Sequence, residues 1–269
     1  MPVESHHIRF RSSDLHYLRW GQGPEWLFCF HGYGEDSHSF LCLEKALADV
    51  YTVIAIDLPF HGETQWREGL LLEPAHLLQL VNELRPAGQP FHLMGYSMGG
   101  RVALQLLQLL PDEVKSMLLV APDGLHKKIW QKLATRSMLG KRLFRQVMDQ
   151  PKWLLGTLDL ATRLRLYNRN LLKFAHYYLD DAAGREMLYQ RWTTLRKFRP
   201  DKQLLKQLIR QHKIPVQLVF GRYDRVILTR YGTAFTQNSE GHIRLTELTA
   251  GHQLLREKYA ATLAKFLVK

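Results

Sequence analysis

Only two of the 269 residues are cysteine, Cys29 and Cys42. That is too few for a disulfide-stapled scaffold, and both read as reduced packing residues rather than a disulfide or a metal pair. No apolar run approaches the ~20 residues that a bilayer-spanning helix needs. The opening residues, Met1-Pro2-Val3-Glu4-Ser5-His6-His7, lack the apolar centre of a signal peptide, so the expected compartment is the cytoplasm. There is no Walker-type phosphate loop and no dinucleotide fingerprint, and the 13 histidines show no His-Glu-x-x-His spacing. Neither a cofactor nor a metal is expected. Repeats and low-complexity stretches are absent as well. Acid is in short supply, with 25 Asp and Glu against 37 Lys and Arg, a formal charge of +12. The shortage is local: residues 125–213 hold 21 basic against 6 acidic side chains, and the remainder holds 16 against 19.

What is present is an ordinary globular composition, 46% hydrophobic and 23% charged, in a chain long enough for one α/β domain with an insertion. Short strands are expected at 8–11 and 15–20, joined by a turn at 12–14, as an antiparallel edge. Buried strands are expected at 25–30 and 51–56, and further strands at 91–94, 114–121, 215–220 and 242–248. Helical spacing runs over 39–49, 70–84, 101–110, 229–238 and 253–268. From 126 to 211 the spacing is helical throughout, with helices expected near 126–138, 141–149, 161–179, 183–198 and 202–211 and breaks at Gly140, Pro151, Gly184 and Pro200. This alternation implies a mostly parallel sheet covered on both faces, with the core at 1–124 and 213–269 and a helical cap inserted at 125–212. An insertion after a strand end would sit where open α/β sheets bind ligands.

The chain is organised around Gly95-Tyr96-Ser97-Met98-Gly99-Gly100, which follows an apolar strand and opens a helix. Strand, Gly-x-Ser-x-Gly and helix in that order are the signature of a nucleophile elbow. The glycines leave room for a sharp turn that strains the serine, and the helix N-terminus offers free N–H groups to the reacting centre.

A serine hydroxyl needs a base to take its proton, and an imidazole, with an ordinary pKa of about 6.5, can accept and return one. His252, in the loop Gly251-His252 after the last strand, fits that role. Two carboxylates could orient it: Asp224, in Gly221-Arg222-Tyr223-Asp224, and Asp123, after the preceding strand.

Together with His31-Gly32 and Asp57-Leu58-Pro59-Phe60-His61-Gly62, these pieces resemble the capped α/β-hydrolases over essentially the whole chain. The resemblance implies an eight-stranded, mostly parallel sheet and a Ser97–His252–Asp224 triad, because the family order is nucleophile, acid, histidine. It favours Asp224 over Asp123, although the proline usual a few residues later is replaced near Leu228. It also implies backbone oxyanion donors at Tyr33 and Met98 and a structural loop around His61, while the His31 imidazole reads as a brace for its own loop.

The expected activity is that of a cofactor-independent serine hydrolase, most simply a carboxylic-ester hydrolase working through an acyl-enzyme. Two alternatives stand beside it. Gly95–Arg101 and the Asp57–Gly62 loop also resemble the menaquinone-pathway synthases and the carbon–carbon bond hydrolases of this fold, and a non-catalytic binding protein could use the same scaffold. The basic cap has three readings: solvated helix faces, selection of an anionic small-molecule substrate, or contact with an anionic membrane or acyl-carrier partner aided by Trp130, Phe144 and Trp153. No motif supports nucleic acid. Apolar cap residues, including Leu133, Leu154, Leu155, Tyr177, Tyr178 and Trp192, serve either cap packing or a substrate cavity.

Overall fold

Apolar, β-branched stretches alternate with amphipathic ones, and in the computed structural model they become, among the described residues, eight strands with helices between them. The structure describes residues 2–126, 138–163 and 179–267. The strands are β1 (Glu4–Phe10), β2 (Ser13–Trp20), β3 (Glu25–Phe30), β4 (Tyr51–Ile56), β5 (Phe91–Tyr96), β6 (Val114–Val120), β7 (Val216–Gly221) and β8 (Ile243–Leu248). They form one sheet in the order β1-β2-β4-β3-β5-β6-β7-β8. β1 and β2 pair antiparallel, β2 joins β4 antiparallel, and every other pairing is parallel. All six residues of β4 and of β5 are buried, as central parallel strands covered on both faces require.

Alternate residues of the inner strands, Leu27, Val53, Met94, Leu118 and Val219, form one core. Phe40, Leu43 and Leu47, from a 3₁₀ turn (Ser37–Leu43) and α1 (Glu44–Leu47), close over it, as do Leu254 and Leu263 near the C-terminus. α2 (Pro74–Glu83) packs on α3 (Met98–Leu109), which lies against β3, β5 and β6. α3 is buried from Met98 to Leu107, so its sequence is apolar on more than one face.

Several boundaries differ from the sequence expectation. The hairpin strands reach Glu4 and Ser13, and the turn moves to Arg11 and Ser12, with Arg11 at φ 54°. Ser13 and Asp14 are extended instead of turning because Ser13 is buried and Asp14 exchanges two backbone hydrogen bonds with Gln65. The expected 70–84 helix starts only at Pro74, since a residue before proline is pushed out of the helical region, and Glu73 is extended at φ −79°, ψ 139°. The last helix is shortened to Glu257–Ala264, because the chain before it runs extended while burying Leu254.

By its contacts the chain divides into two compact units. The first comprises Met1–Glu68, Leu72–Lys127 and Phe198–Lys269; the second comprises Gly69–Leu71 and Lys128–Lys197. The expected insertion at 125–212 therefore loses its C-terminal end to the first unit. There the helix Lys202–Gln211 buries Leu205 and Ile209, and the Arg199 and Asp201 N–H groups donate to Gln105 and Gln108 of α3.

In the second unit a helix at Met138–Asp149 runs through Gly140, where a break was expected. Buried Phe144 and Met148 hold it in place, outweighing the glycine's modest helix penalty of about 1 kcal/mol. Phe144 lies against Tyr189 and Trp192 of the helix Ala182–Thr194, so both Phe144 and Trp192 are packing residues of this unit. Phe144 is not a surface anchor as one sequence reading had it, whereas Trp153 is 43% exposed. A helix at Lys152–Arg163 had no counterpart in the sequence reading. The helices expected near 126–138 and 161–179, along with Trp130, Leu133, Tyr177 and Tyr178, fall wholly or mostly outside the described residues. No helix among the described residues is long and apolar enough to cross a membrane. Both cysteines are free thiols, and burial pushes each above its ordinary pKa, Cys42 to about 11.

Candidate active site

The strand–turn–helix expected around Ser97 is present. β5 ends at Tyr96, α3 begins at Met98, and Ser97 between them adopts φ 49°, ψ −114°. A non-glycine residue at positive φ persists only when its surroundings over-determine it. Here the Ser97 N–H donates to Val120 O at 2.9 Å, and its carbonyl accepts from the N–H groups of Gly100 (3.0 Å) and Asp123 (2.7 Å). The turn is tight because α3 approaches β3 closely: a β-carbon on Gly99 would lie 1.8 Å from the Phe30 carbonyl oxygen. Met98 is the first residue of α3, so its N–H has no partner within the helix.

The sheet brings the remaining parts to the same edge. Phe30 of β3 is in register with Gly95 of β5, so the loop His31-Gly32-Tyr33 leaves beside the serine turn. Gly221 of β7 is in register with Leu248 of β8, so the loops carrying Asp224 and His252 leave side by side. His252 Nδ1 lies 2.7 Å from Asp224 Oδ2, and His252 Nε2 lies 3.0 Å from Ser97 Oγ. The carboxylate accepts, so Nδ1 carries the proton and Nε2 is left to accept from the serine. Asp224 is buried, and its Oδ1 accepts from the N–H groups of Val226 (2.7 Å) and Ile227 (3.0 Å). Burial raises its pKa, but the hydrogen bonds from His252 and these amides outweigh that and leave it below the ordinary carboxylate value. Asp123 does not take this place: its Oδ1 accepts from the Gly124 N–H, and its N–H serves the Ser97 carbonyl.

His31 is buried. Its Nε2 accepts from the Leu58 N–H at 3.0 Å, so its Nδ1 donates to Gly32 O at 2.8 Å. The ring thus ties the Tyr33 loop to the loop after β4. His61 Nδ1 donates to Pro59 O within its own loop, and its ring meets Tyr33 edge-on at 6.2 Å. Among the described residues, no three His, Cys, Asp or Glu side chains cluster as metal ligands do.

Sequence reasoning missed two residues, one of them beside His252. Tyr96 donates its hydroxyl to the His252 carbonyl at 3.1 Å and places its ring 5.5 Å from the imidazole. It also missed His16. A second Ser–His–Asp chain runs from Ser5 Oγ to His16 Nε2 (2.9 Å) and from His16 Nδ1 to Asp57 Oδ2 (2.7 Å), with the His16 and Asp57 side chains fully buried. The connectivity matches the first chain, but the setting does not. Ser5 lies within the regular strand β1 with no helix N-terminus behind it, so no strained turn presents its hydroxyl.

Asp57 also accepts from the backbone N–H groups of Ser37 (2.6 Å) and Glu63 (2.9 Å), which makes it a fully paired buried carboxylate. Burial raises its pKa, but those amides and His16 outweigh burial, and the folded value is depressed. Its stabilisation is therefore present above the unfolded carboxyl's value of about 3.9 and lost as pH falls through the lower folded value. Asp57→Asn turns an amide toward these donors and should cost about 3 kcal/mol at pH 7. Urea titration should show that gap narrowing below about pH 4; a gap unchanged down to pH 2 would contradict it.

A family model described as the alpha/beta hydrolase fold matches residues 25–259. The chain belongs to the α/β-hydrolase fold family. Over 226 residues it is 32% identical to the dihydrolipoyllysine-residue acetyltransferase component of the acetoin cleaving system of Pseudomonas putida, covering 78% of this chain and 56% of that protein. Over 124 residues it is 32% identical to the pimeloyl-[acyl-carrier protein] methyl ester esterase of Aeromonas salmonicida, covering 45% of this chain and 48% of that one. The chain thus spans about half the length of these curated relatives. Among solved structures it resembles a thermophilic esterase from Thermogutta terrifontis with a TM-score of 0.68 at 18% identity, over 98% of this chain and 97% of that one. At that identity the likeness concerns the fold.

Proposed function

We propose that this protein is a hydrolase that cleaves carboxylic esters of small or medium acids by nucleophilic catalysis at Ser97. The observation that carries the reading is the hydrogen-bonded chain Ser97–His252–Asp224 built on a strained elbow. His252 takes the Ser97 proton as Oγ attacks the carbonyl, and Asp224 stabilises the imidazolium that results. The N–H of Met98 and that of Tyr33 hold the oxyanion. The proton then passes to the departing alcohol, which leaves an acyl-Ser97 ester, and water activated by the same imidazole releases the acid. Curated relatives named as ester hydrolases support the ester over other leaving groups.

An anionic substrate suits the charge. Arg256 and Lys258 line an open depression beside His252, together with Gln253 and Tyr259, and residues 125–213 are strongly basic.

A shared acyl-enzyme has a kinetic signature. With hydroxylamine competing against water, methyl, p-nitrophenyl and thioester substrates bearing one acyl group should give one common ratio of hydroxamate to acid, because each forms the same intermediate. A ratio that follows the leaving group would exclude a common intermediate and with it this mechanism.

A further inference from the structure

The residue before the proposed nucleophile touches the loops of both the base and the oxyanion donor. Tyr96 is the last residue of β5 and is almost wholly buried, with 2% of its surface exposed. Its backbone runs straight into Ser97, so covalent geometry links its position to that of the elbow. Its hydroxyl donates to the His252 carbonyl oxygen at 3.1 Å, and its ring lies 5.5 Å from the imidazole at an interplanar angle of 32°. The same ring closes against the loop that carries the Tyr33 amide: a β-carbon on Gly32 would meet Tyr96 Cε1 at 3.0 Å and Cδ1 at 3.1 Å. One side chain thus joins loops that leave three different strands, β3, β5 and β8.

A packing role accounts for the ring and not for the hydroxyl, since a phenylalanine would fill the same space. A buried hydroxyl needs a partner, and here the partner is the main chain of the proposed base. That main chain is a loop: β8 ends at Leu248 and the last helix begins at Glu257. Backbone hydrogen bonds hold the loop at Ala250 and Leu254, two residues to either side, and Tyr96 holds it at His252 itself. An imidazole kept 3.0 Å from Ser97 Oγ needs such fixed points. Asp224 fixes the ring through Nδ1, and Tyr96 fixes the backbone that carries the ring. Burial pushes the Tyr96 phenol well above its ordinary value, so the hydroxyl stays a donor across the working pH range.

We propose that Tyr96 is a positioning residue that acts through His252, its hydroxyl tying the backbone of the base to the strand that carries the nucleophile. The inference rests on the triad reading above. Acylation and deacylation both use the imidazole, so cutting the tie slows turnover and leaves ground-state binding alone.

The test is Tyr96→Phe, which keeps the ring and removes the hydroxyl, alone and combined with His252→Ala. The substrate is p-nitrophenyl acetate, and urea melts check folding. Tyr96→Phe should lower kcat roughly 10-fold with KM within about 2-fold, because even a 1 Å misplacement can cost about 100-fold in rate. On top of His252→Ala it should change the residual rate by less than about 2-fold, since nothing is left to position. If His252→Ala keeps full activity, the triad reading fails, and this proposal with it. If His252→Ala loses activity and Tyr96→Phe has the wild-type kcat, the Tyr96 proposal alone falls. An equal loss in both backgrounds also overturns it, because the hydroxyl would then serve the elbow or the Gly32 loop and not the base. A Tyr96→Phe chain that does not fold overturns it as well, since the hydroxyl would be holding the fold.

Discussion

Replacing Ser97 by Ala, or His252 by Ala, lowers kcat for ester hydrolysis by about 10⁴-fold or more, and the double variant is scarcely worse than either single one. The two side chains act as a unit, because a serine without its base is a weak nucleophile and a base without its serine has nothing to activate. Their contact is the 3.0 Å hydrogen bond between Ser97 Oγ and His252 Nε2. On the proposed mechanism the residual rate comes from the Tyr33 and Met98 amides and from binding, which neither change removes. Steady-state kinetics on p-nitrophenyl acetate with thermally checked protein measures all three variants. Losses that multiply in the double variant would mean that the two residues act independently and that the hydrogen-bonded chain is not the catalytic device.

Gly99→Ala destabilises the fold by roughly 3 kcal/mol or more and lowers activity as well. Its β-carbon would meet backbone, the Phe30 carbonyl at 1.8 Å and the His31 carbonyl oxygen at 2.8 Å, and backbone cannot swing aside as a side chain can. α3 must then lift away from β3. Met98, one residue from the change, moves with it, and a shift of about 1 Å in such a group can cost 100-fold in rate. Gly156→Ala is the internal control. Gly156 lies within the helix Lys152–Arg163, and its β-carbon would meet nothing within 4 Å, so the change should be neutral or stabilise by up to about 1 kcal/mol. Denaturant melts compare the two, and a Gly99→Ala protein as stable and active as wild type would show that the close approach is not needed.

Much of this was legible in the residues. Buried parallel strands announce themselves as short apolar runs, and 25–30 and 51–56 match β3 and β4 to the residue. The elbow was legible because its glycines have a steric cause. What stayed hidden depends on distant partners. Ser13 and Asp14 look like turn formers, yet Gln65 pairs with Asp14 and extends them. The helix Lys202–Gln211 reads like the insertion before it, and it is its buried Leu205 and Ile209, with the Arg199 and Asp201 N–H groups just before it donating to Gln105 and Gln108 of α3, that tie it to the first unit. His16 and Tyr96 each stand in stretches whose local pattern is satisfied by strand alone. Their roles come from contacts to Asp57 and to the His252 carbonyl, which no local spacing encodes.

Two Ser–His–Asp chains in one fold allow the central claim to be tested against a built-in control. Both carry hydrogen bonds between 2.7 and 3.0 Å, but only Ser97 sits at positive φ in front of a helix. If the elbow makes the nucleophile, and not the dyad alone, a fluorophosphonate will react at one place. Intact-mass and peptide mapping after brief exposure should find a single adduct, on the peptide containing Ser97. It should be absent in Ser97→Ala and formed at the wild-type rate in Ser5→Ala. An adduct on Ser5, or an active enzyme that carries no adduct at Ser97, would contradict the account.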